Sequence, residues 1–174
     1  MPRILLLSDT HGYLDDKIIS FAQQADEIWH AGDFGTLEVF DKLSSIKPLK
    51  GVYGNIDGTE LRAVMPLHQH FMCENVNVWI THIGGYPGNY APAVRDEIYS
   101  INPDLFICGH SHILKVMRDK KNPQILHMNP GAAGIHGFHK IRTMMRFIID
   151  GSTIKDVEAI ELGLRGSLDF TPIA

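Results

Sequence analysis

Asp9-Thr10-His11, Gly32-Asp33, Gly54-Asn55, Thr81-His82 and Gly109-His110-Ser111-His112 place seven side chains able to ligate metal at nearly even intervals. Their anchors at 9, 33, 55, 82 and 110 stand 24, 22, 27 and 28 positions apart. A strand and its return connection take about 30 residues in a βαβ unit. Each segment can therefore sit at the tip of a successive strand, with the ligands converging on one sheet edge. Two carboxylates, four imidazoles and one carboxamide, without a thiolate, suit divalent manganese, iron, zinc or nickel rather than a structural zinc. Seven ligands exceed the need of one tetrahedral ion. Two ions sharing a carboxylate would use them all, and metals about 3.5–4 Å apart are the usual apparatus for displacement at phosphorus. Alone, Asp-x-His fits an Asx turn and Gly-Asp and Gly-Asn are common turn pairs, whereas two imidazoles two residues apart after a buried strand, as at His110 and His112, are unusual in a plain loop. Their joint occurrence in register carries the inference.

The elements that must position these residues follow from hydrophobic pattern. Residues 3–8 form an aliphatic run typical of a strand buried on both faces, and Leu14–Gln24 is amphipathic, with Asp15 and Asp16 in its first turn. Glu27–Ala31 reads as a second strand, Leu37–Leu43 as a helix with Thr36 as N-cap, and Leu49–Tyr53 as a third strand. The first 55 residues are thus βαβαβ with a polar ligand after each strand. His68–Cys73 and Val76–Thr81 then suggest a hairpin turning at Glu74-Asn75. A turn-rich loop at Gly84–Tyr90 and a helix over Pro92–Ser100 follow, then a strand over Asp104–Cys108. Ile113–Met117, Gln124–Met128, Thr143–Ile149 and Thr153–Ile160 read as strands, the last two joined at Asp150-Gly151, and the tail from Gly163 reads as edge or coil. The pattern predicts an α/β protein of two packed sheets flanked by helices, with ligands at the carboxyl ends of strands.

The bulk numbers are those of a soluble globular chain: 174 residues, 44% hydrophobic and 21% charged, fitting one domain over 1–174. Net charge is −4 and the basic residues form no run, so a stable nucleic-acid complex is not expected. Cys73 and Cys108 are far apart and form no CxxC, which fits a reducing compartment, and Cys108 reads as a buried small hydrophobe. The aliphatic run near the start is too short for a signal peptide or a membrane span, so the sequence predicts a cytoplasmic protein without membrane association. A homo-oligomer is compatible with this composition.

Taken together, Asp9-Thr10-His11-Gly12, Gly32-Asp33, Gly54-Asn55-Ile56-Asp57, Thr81-His82 and Gly109-His110-Ser111-His112 resemble the ordered signature of the calcineurin-like metallophosphoesterases. The short length and Asn129-Pro130-Gly131 resemble the small single-domain, YfcE-type phosphodiesterase branch. The resemblance implies a four-layer αββα sandwich. It puts Asp9, His11 and His112 on one metal and Asn55, His82 and His110 on a second, with Asp33 bridging. It implies two divalent ions, manganese first and zinc, iron or nickel as alternatives, and a small phosphorylated substrate. A metal-bridging water would lose a proton near neutral pH, since a single zinc already lowers bound water to about pKa 7. That hydroxide would be the nucleophile, with Asp33, Asn55 and His82 as the catalytic set around it.

Larger members of the superfamily carry histidine after the Gly-Asn pair, where this chain has Ile56. Without that acid, activated diesters should be hydrolysed better than alkyl ones, because general acid catalysis is typically worth about 10²–10⁴-fold. Asp57, His136, His139 and Lys140 are candidate substrate contacts, with capping of the next segment the rival role for Asp57 and a surface loop the rival for the others. His30 reads as a partner of Asp33 or a satisfied core histidine, His127 as core or strand edge, and Arg142 remains open between substrate contact and surface. A phosphodiesterase is the leading reading. The rivals are a phosphomonoesterase or nuclease on the same centre, and a non-catalytic protein-interaction scaffold such as the relatives in retromer.

Overall fold

The computed structural model describes residues 1–166. Two mixed five-stranded sheets pack face to face. The first has the order β12-β11-β1-β2-β3 and comprises β1 (Arg3–Leu7), β2 (Glu27–His30), β3 (Leu49–Gly51), β11 (Ile141–Asp150) and β12 (Thr153–Leu164). The second has the order β4-β5-β8-β10-β9, from β4 (His68–Cys73), β5 (Val76–Thr81), β8 (Leu105–Ile107), β9 (Leu114–Arg118) and β10 (Leu126–Pro130). Helices α1 (Asp16–Gln24), α2 (Leu37–Ile46) and α3 (Thr59–Val64) belong with the first sheet, and α4 (Pro92–Arg95) and α5 (Ile98–Ile101) with the second.

The period-two direction of side chains on a strand sorts the aliphatic runs into three cores. Ile4 and Leu6 of β1 point between the sheets, where they meet Trp29, Val78, Ile80, Ile107 and Met128. Leu5 and Leu7 face the other way, against Ile18 and Ala22 of α1 and Val39 and Leu43 of α2. On the far side, Trp79 and Phe106 pack under Val94 and Ile98. A strand apolar at every position therefore serves two cores at once, and the outcome is the four-layer αββα sandwich. β1 and β2 run parallel, as do β2 and β3, β5 and β8, and β8 and β10. Their carboxyl ends form the edge where the ligand segments leave the sheets.

The structure departs from the sequence pattern in detail. α1 begins at Asp16 because the Asp15 carboxylate accepts from the Ile18 N–H as its N-cap. Thr36 is the α2 N-cap residue by backbone position but makes no side-chain cap hydrogen bond. The helix expected over 92–100 is broken at Asp96-Glu97, where the Glu97 N–H bonds the Val94 carbonyl three residues back, a turn in place of the α-helical bond, although both residues keep right-handed helical backbone. α3 was not legible, since in six residues it buries one apolar side chain, Leu61. The loop after His82 contains a small hairpin of β6 (Gly85–Tyr86) and β7 (Asn89–Tyr90). β12, the edge strand of its sheet, runs past Ile160 to Leu164, so Gly163 and Leu164 follow the edge reading rather than coil, and the tail beyond 166 lies outside the described residues.

Candidate metal centre

The ligand segments begin where the ladders end. Asp9 N–H bonds the Gly32 carbonyl (2.9 Å), His11 N–H the Asp33 carbonyl (3.1 Å), and Gly12 N–H the Phe34 carbonyl (2.7 Å), so the β1–β2 pairing continues through both loops. In the second sheet Gly109 N–H bonds the His82 carbonyl at 3.0 Å. The two edges are tied by the His110 N–H, which donates to Asp9 Oδ2 at 3.1 Å. Close approach is built in at Gly54, where any Cβ would overlap the Asp33 carboxylate, and at Gly32, where it would overlap the His82 ring.

Of the eight non-glycine residues at positive φ among the described residues, five are Asp9, His11, Asp33, His110 and His112. Such backbone costs about 1–3 kcal/mol per residue and persists only where the surroundings enforce it, typically at functional sites. Here it turns side chains on successive loops inward. Two groups result: Asp9, His11 and His112, and Asp33, His82 and His110, with the potential ligand atoms of each group within 4.8 Å of one another. Asn55 joins the second, its Oδ1 lying 3.0 Å from His110 Nδ1.

Each carboxylate is half satisfied. Asp9 Oδ2 accepts from Ser8 Oγ (2.6 Å) and the His110 N–H, while buried Oδ1 has no hydrogen-bond partner and lies 3.2 Å from His112 Nε2 and 3.7 Å from His11 Nε2. Asp33 Oδ1 accepts from the Ile56 N–H at 3.1 Å, and Oδ2 faces His82 Nε2 at 3.2 Å and His11 Nε2 at 3.5 Å. His82 points Nδ1 at the Ala31 carbonyl (2.7 Å), which can only accept, so Nδ1 carries the hydrogen and Nε2 presents its lone pair. His11 Nε2 and His82 Nε2 are buried without a hydrogen-bond partner as well. Buried charge left unpaired costs several kcal/mol, and carboxylate oxygens facing ring nitrogens at these distances are satisfied either by hydrogens on those nitrogens or by cations between them. The residues fit divalent metal.

The electrostatics agree. Burial alone would raise the Asp9 carboxyl, but the His11 and His112 imidazoles, with His82 and Ser8, outweigh it and hold the group far below the carboxylate range. Asp33 is lowered in the same way, its desolvation overcome chiefly by His82. Burial lowers His82, but Asp33 and Asp9 raise it overall. Burial lowers His110.

The residues expected around the ligands divide. Asp57 neither caps α3, whose N-cap residue is Gly58, nor faces a substrate: it is buried and accepts from the Phe34, Gly35 and Gly54 N–H groups at 3.1, 2.9 and 2.8 Å. That corrects both roles expected for Asp57, which ties the Asp33 loop to the Asn55 loop. His136 is exposed with its ring 5.1 Å from that of His11, His139 lies against His112 at 3.2 Å, and Lys140 is exposed. His30 is a satisfied core histidine, stacked on Phe34 at 3.7 Å, accepting from the Gly32 N–H and paired with Thr10 Oγ1 at 3.0 Å. Burial takes its pKa down to about 3. Arg142 is no surface group: wholly buried, it pairs with Asp15 at 2.9 Å and donates to the Ala133 carbonyl. Burial pushes the Cys108 thiol up to about 12, in keeping with a packing role. The pattern had not singled out Ser8, or Asn129 as the residue that holds the 109–112 loop through the Gly109 carbonyl and Ser111 Oγ.

Residues 3–152 match the calcineurin-like phosphoesterase superfamily domain. The chain belongs to that superfamily. A protein of Methanothermobacter thermautotrophicus named "Probable metallophosphoesterase" is 26% identical over 166 residues, 91% of each chain. Among solved structures, an archaeal phosphodiesterase superposes with a TM-score of 0.68 at 21% identity, over 92% of this chain and 99% of that one. Zinc-bound Vps29 of Entamoeba histolytica gives 0.69 at 16%, over 91% and 98%. At these identities the two structures speak to fold alone. Metallophosphoesterases of this superfamily bind divalent metals, and this member has two groups of residues able to hold them.

Proposed function

We propose that this protein is a cytoplasmic, metal-dependent phosphodiesterase acting on a small phosphodiester, with residues 1–174 working as one domain. Asp9, His11 and His112 would hold one ion, Asn55, His82 and His110 the other, and Asp33 both. The observation that carries this is the Asp33 carboxylate: Oδ1 is tied to the Ile56 N–H, while Oδ2 stands 3.5 Å from His11 of one group and 3.2 Å from His82 of the other. Manganese heads the candidates on ligand type, with zinc, iron and nickel behind it.

When bound, such ions supply an acidified water as nucleophile and neutralise charge on phosphoryl oxygens. The chain's own residues do the positioning. Ser8 and the His110 N–H fix the Asp9 carboxylate, the Ala31 carbonyl fixes the His82 tautomer, and Asp57 holds the Asp33 and Asn55 loops together. Ile56, Ile83 and Ile113, each following a ligand in sequence, are exposed and offer apolar contact to the organic substituents of a diester. No side chain at position 56 can protonate a leaving group, so aryl esters should turn over faster than alkyl esters.

Hydrolysis of bis(p-nitrophenyl) phosphate should require Mn²⁺, stop with chelator, exceed that of p-nitrophenyl phosphate, and be lost in Asp33→Ala. Turnover indifferent to metal or to Asp33→Ala would sink the reading. A faster monoester would move it to a phosphomonoesterase, and an absence of turnover with Mn²⁺ still bound would favour the interaction scaffold.

A further inference from the structure

The structure assigns His139 to the positioning of His112: it selects which ring nitrogen of His112 is free to ligate. This deepens the proposed function and rests on His112 being a ligand.

His139 Nε2 lies 2.8 Å from the Gly134 carbonyl, which can only accept, so that nitrogen carries the hydrogen. A neutral imidazole has one N–H, so His139 Nδ1 presents a lone pair. That lone pair is 3.2 Å from His112 Nδ1, and the hydrogen between them must belong to His112. His112 Nε2 is thereby left as a lone pair, aimed at the Asp9 carboxylate 3.2 Å away. The rings cross at 76°.

The contacts close a circuit. Gly134 N–H donates to the Asp9 carbonyl at 3.0 Å, so the residue that orients His139 is pinned to the loop of the carboxylate that His112 faces. On the other side Arg165 clamps the segment, its Nε donating to the His139 carbonyl and its N–H to the Lys140 carbonyl, both at 2.9 Å. Gly137, at φ +129°, lets the chain pass where any Cβ would overlap the His112 ring. Metal-ligating histidines usually donate their other N–H to a carboxylate, a carbonyl or water. His82 follows that pattern through Ala31, whereas His112 uses a second imidazole that a carbonyl orients in turn. Removing such a partner typically weakens metal binding about 10–100-fold.

The test is calorimetric Mn²⁺ titration of the full chain. His139→Ala should weaken one of two binding steps by about 10–100-fold and leave the other within about twofold. His139→Asn, whose Oδ1 can replace the lost acceptor, should recover most of the loss. In the metal-free wild type, long-range ¹H–¹⁵N spectra should place the His112 hydrogen on Nδ1, a readout independent of whether any variant folds. A hydrogen on His112 Nε2 would overturn the assignment. So would unchanged affinity in a folded His139→Ala, or a raised KM for bis(p-nitrophenyl) phosphate at unchanged Mn²⁺ affinity. The titration and the spectrum do not use turnover, so an inactive protein showing the expected affinity split would sink the phosphodiesterase reading alone.

Discussion

Asp33 and Asp57 are buried to the same degree, 2% exposed each, and stand on neighbouring loops, yet their surroundings differ in kind. Asp57 is enclosed by three backbone N–H donors. Asp33 takes one such donor and turns its second oxygen toward two imidazoles. The contrast repeats across the molecule: Asp119, in the outer layer of the second sheet, accepts from Tyr90 and Tyr99 hydroxyls and from two backbone N–H groups, whereas Asp9 keeps an unpartnered oxygen. A carboxylate satisfied by fixed neutral donors organises loops. One left half satisfied among lone pairs marks where a cation belongs, and burial alone does not tell the two apart.

That contrast can be broken by experiment. The largest effect expected is on catalysis: Asp33→Ala should lower kcat/KM for bis(p-nitrophenyl) phosphate about 10³-fold, while the metal-free fold loses little in a urea melt. Asp57→Ala should do the reverse to stability, costing about 3 kcal/mol by leaving buried N–H groups unpaired, seen as a lowered urea midpoint. If Asp33→Ala proves the more destabilising, the distinction fails. Mn²⁺ at 100 times its Kd should stabilise the wild type by about 2.7 kcal/mol per site, with a smaller shift in Asp33→Ala, by thermal melting. A last effect, spread over acid pH, concerns a side chain kept neutral away from the ligand edge. His127 lies against Phe106, and burial lowers its pKa to about 4, so the unfolded chain binds this proton first. Its contribution is complete above the unfolded value of about 6.5 and falls as pH drops from there toward 4, with a slope of at most about 1.4 kcal/mol per unit. His127→Phe should flatten the stability profile there without moving Mn²⁺ affinity.

The parts that were legible share a physical cause. Runs such as Ile4–Leu7 and Val76–Thr81 are apolar beyond what one buried face requires, and each did become a strand shared by two cores. The hairpins at Glu74-Asn75 and Asp150-Gly151 were written in local turn chemistry. Local signals were weakest where few residues act: α3 rests on Leu61, and the break in 92–100 comes from hydrogen bonding at Glu97 that no residue type announces. At the centre, the ligand candidates were readable because five segments repeat at the interval of a strand and its return. The supporting roles were not, because Asn129, Asp57 and His139 act through partners 20 to 27 positions away, and Ser8 through an oxygen of its neighbour Asp9 that only the fold turns toward it.

By itself the sequence determined the α/β class, the ligand types and the strand ends that carry them, since periodicity and residue chemistry are local properties. Only the tertiary structure decided that Asp33 faces both groups, that Asp57 is a brace, that Arg142 is buried, and that His139 serves His112. Those outcomes depend on which oxygen or nitrogen meets which neighbour, and that is set by the packing of two sheets whose loops meet at a common edge.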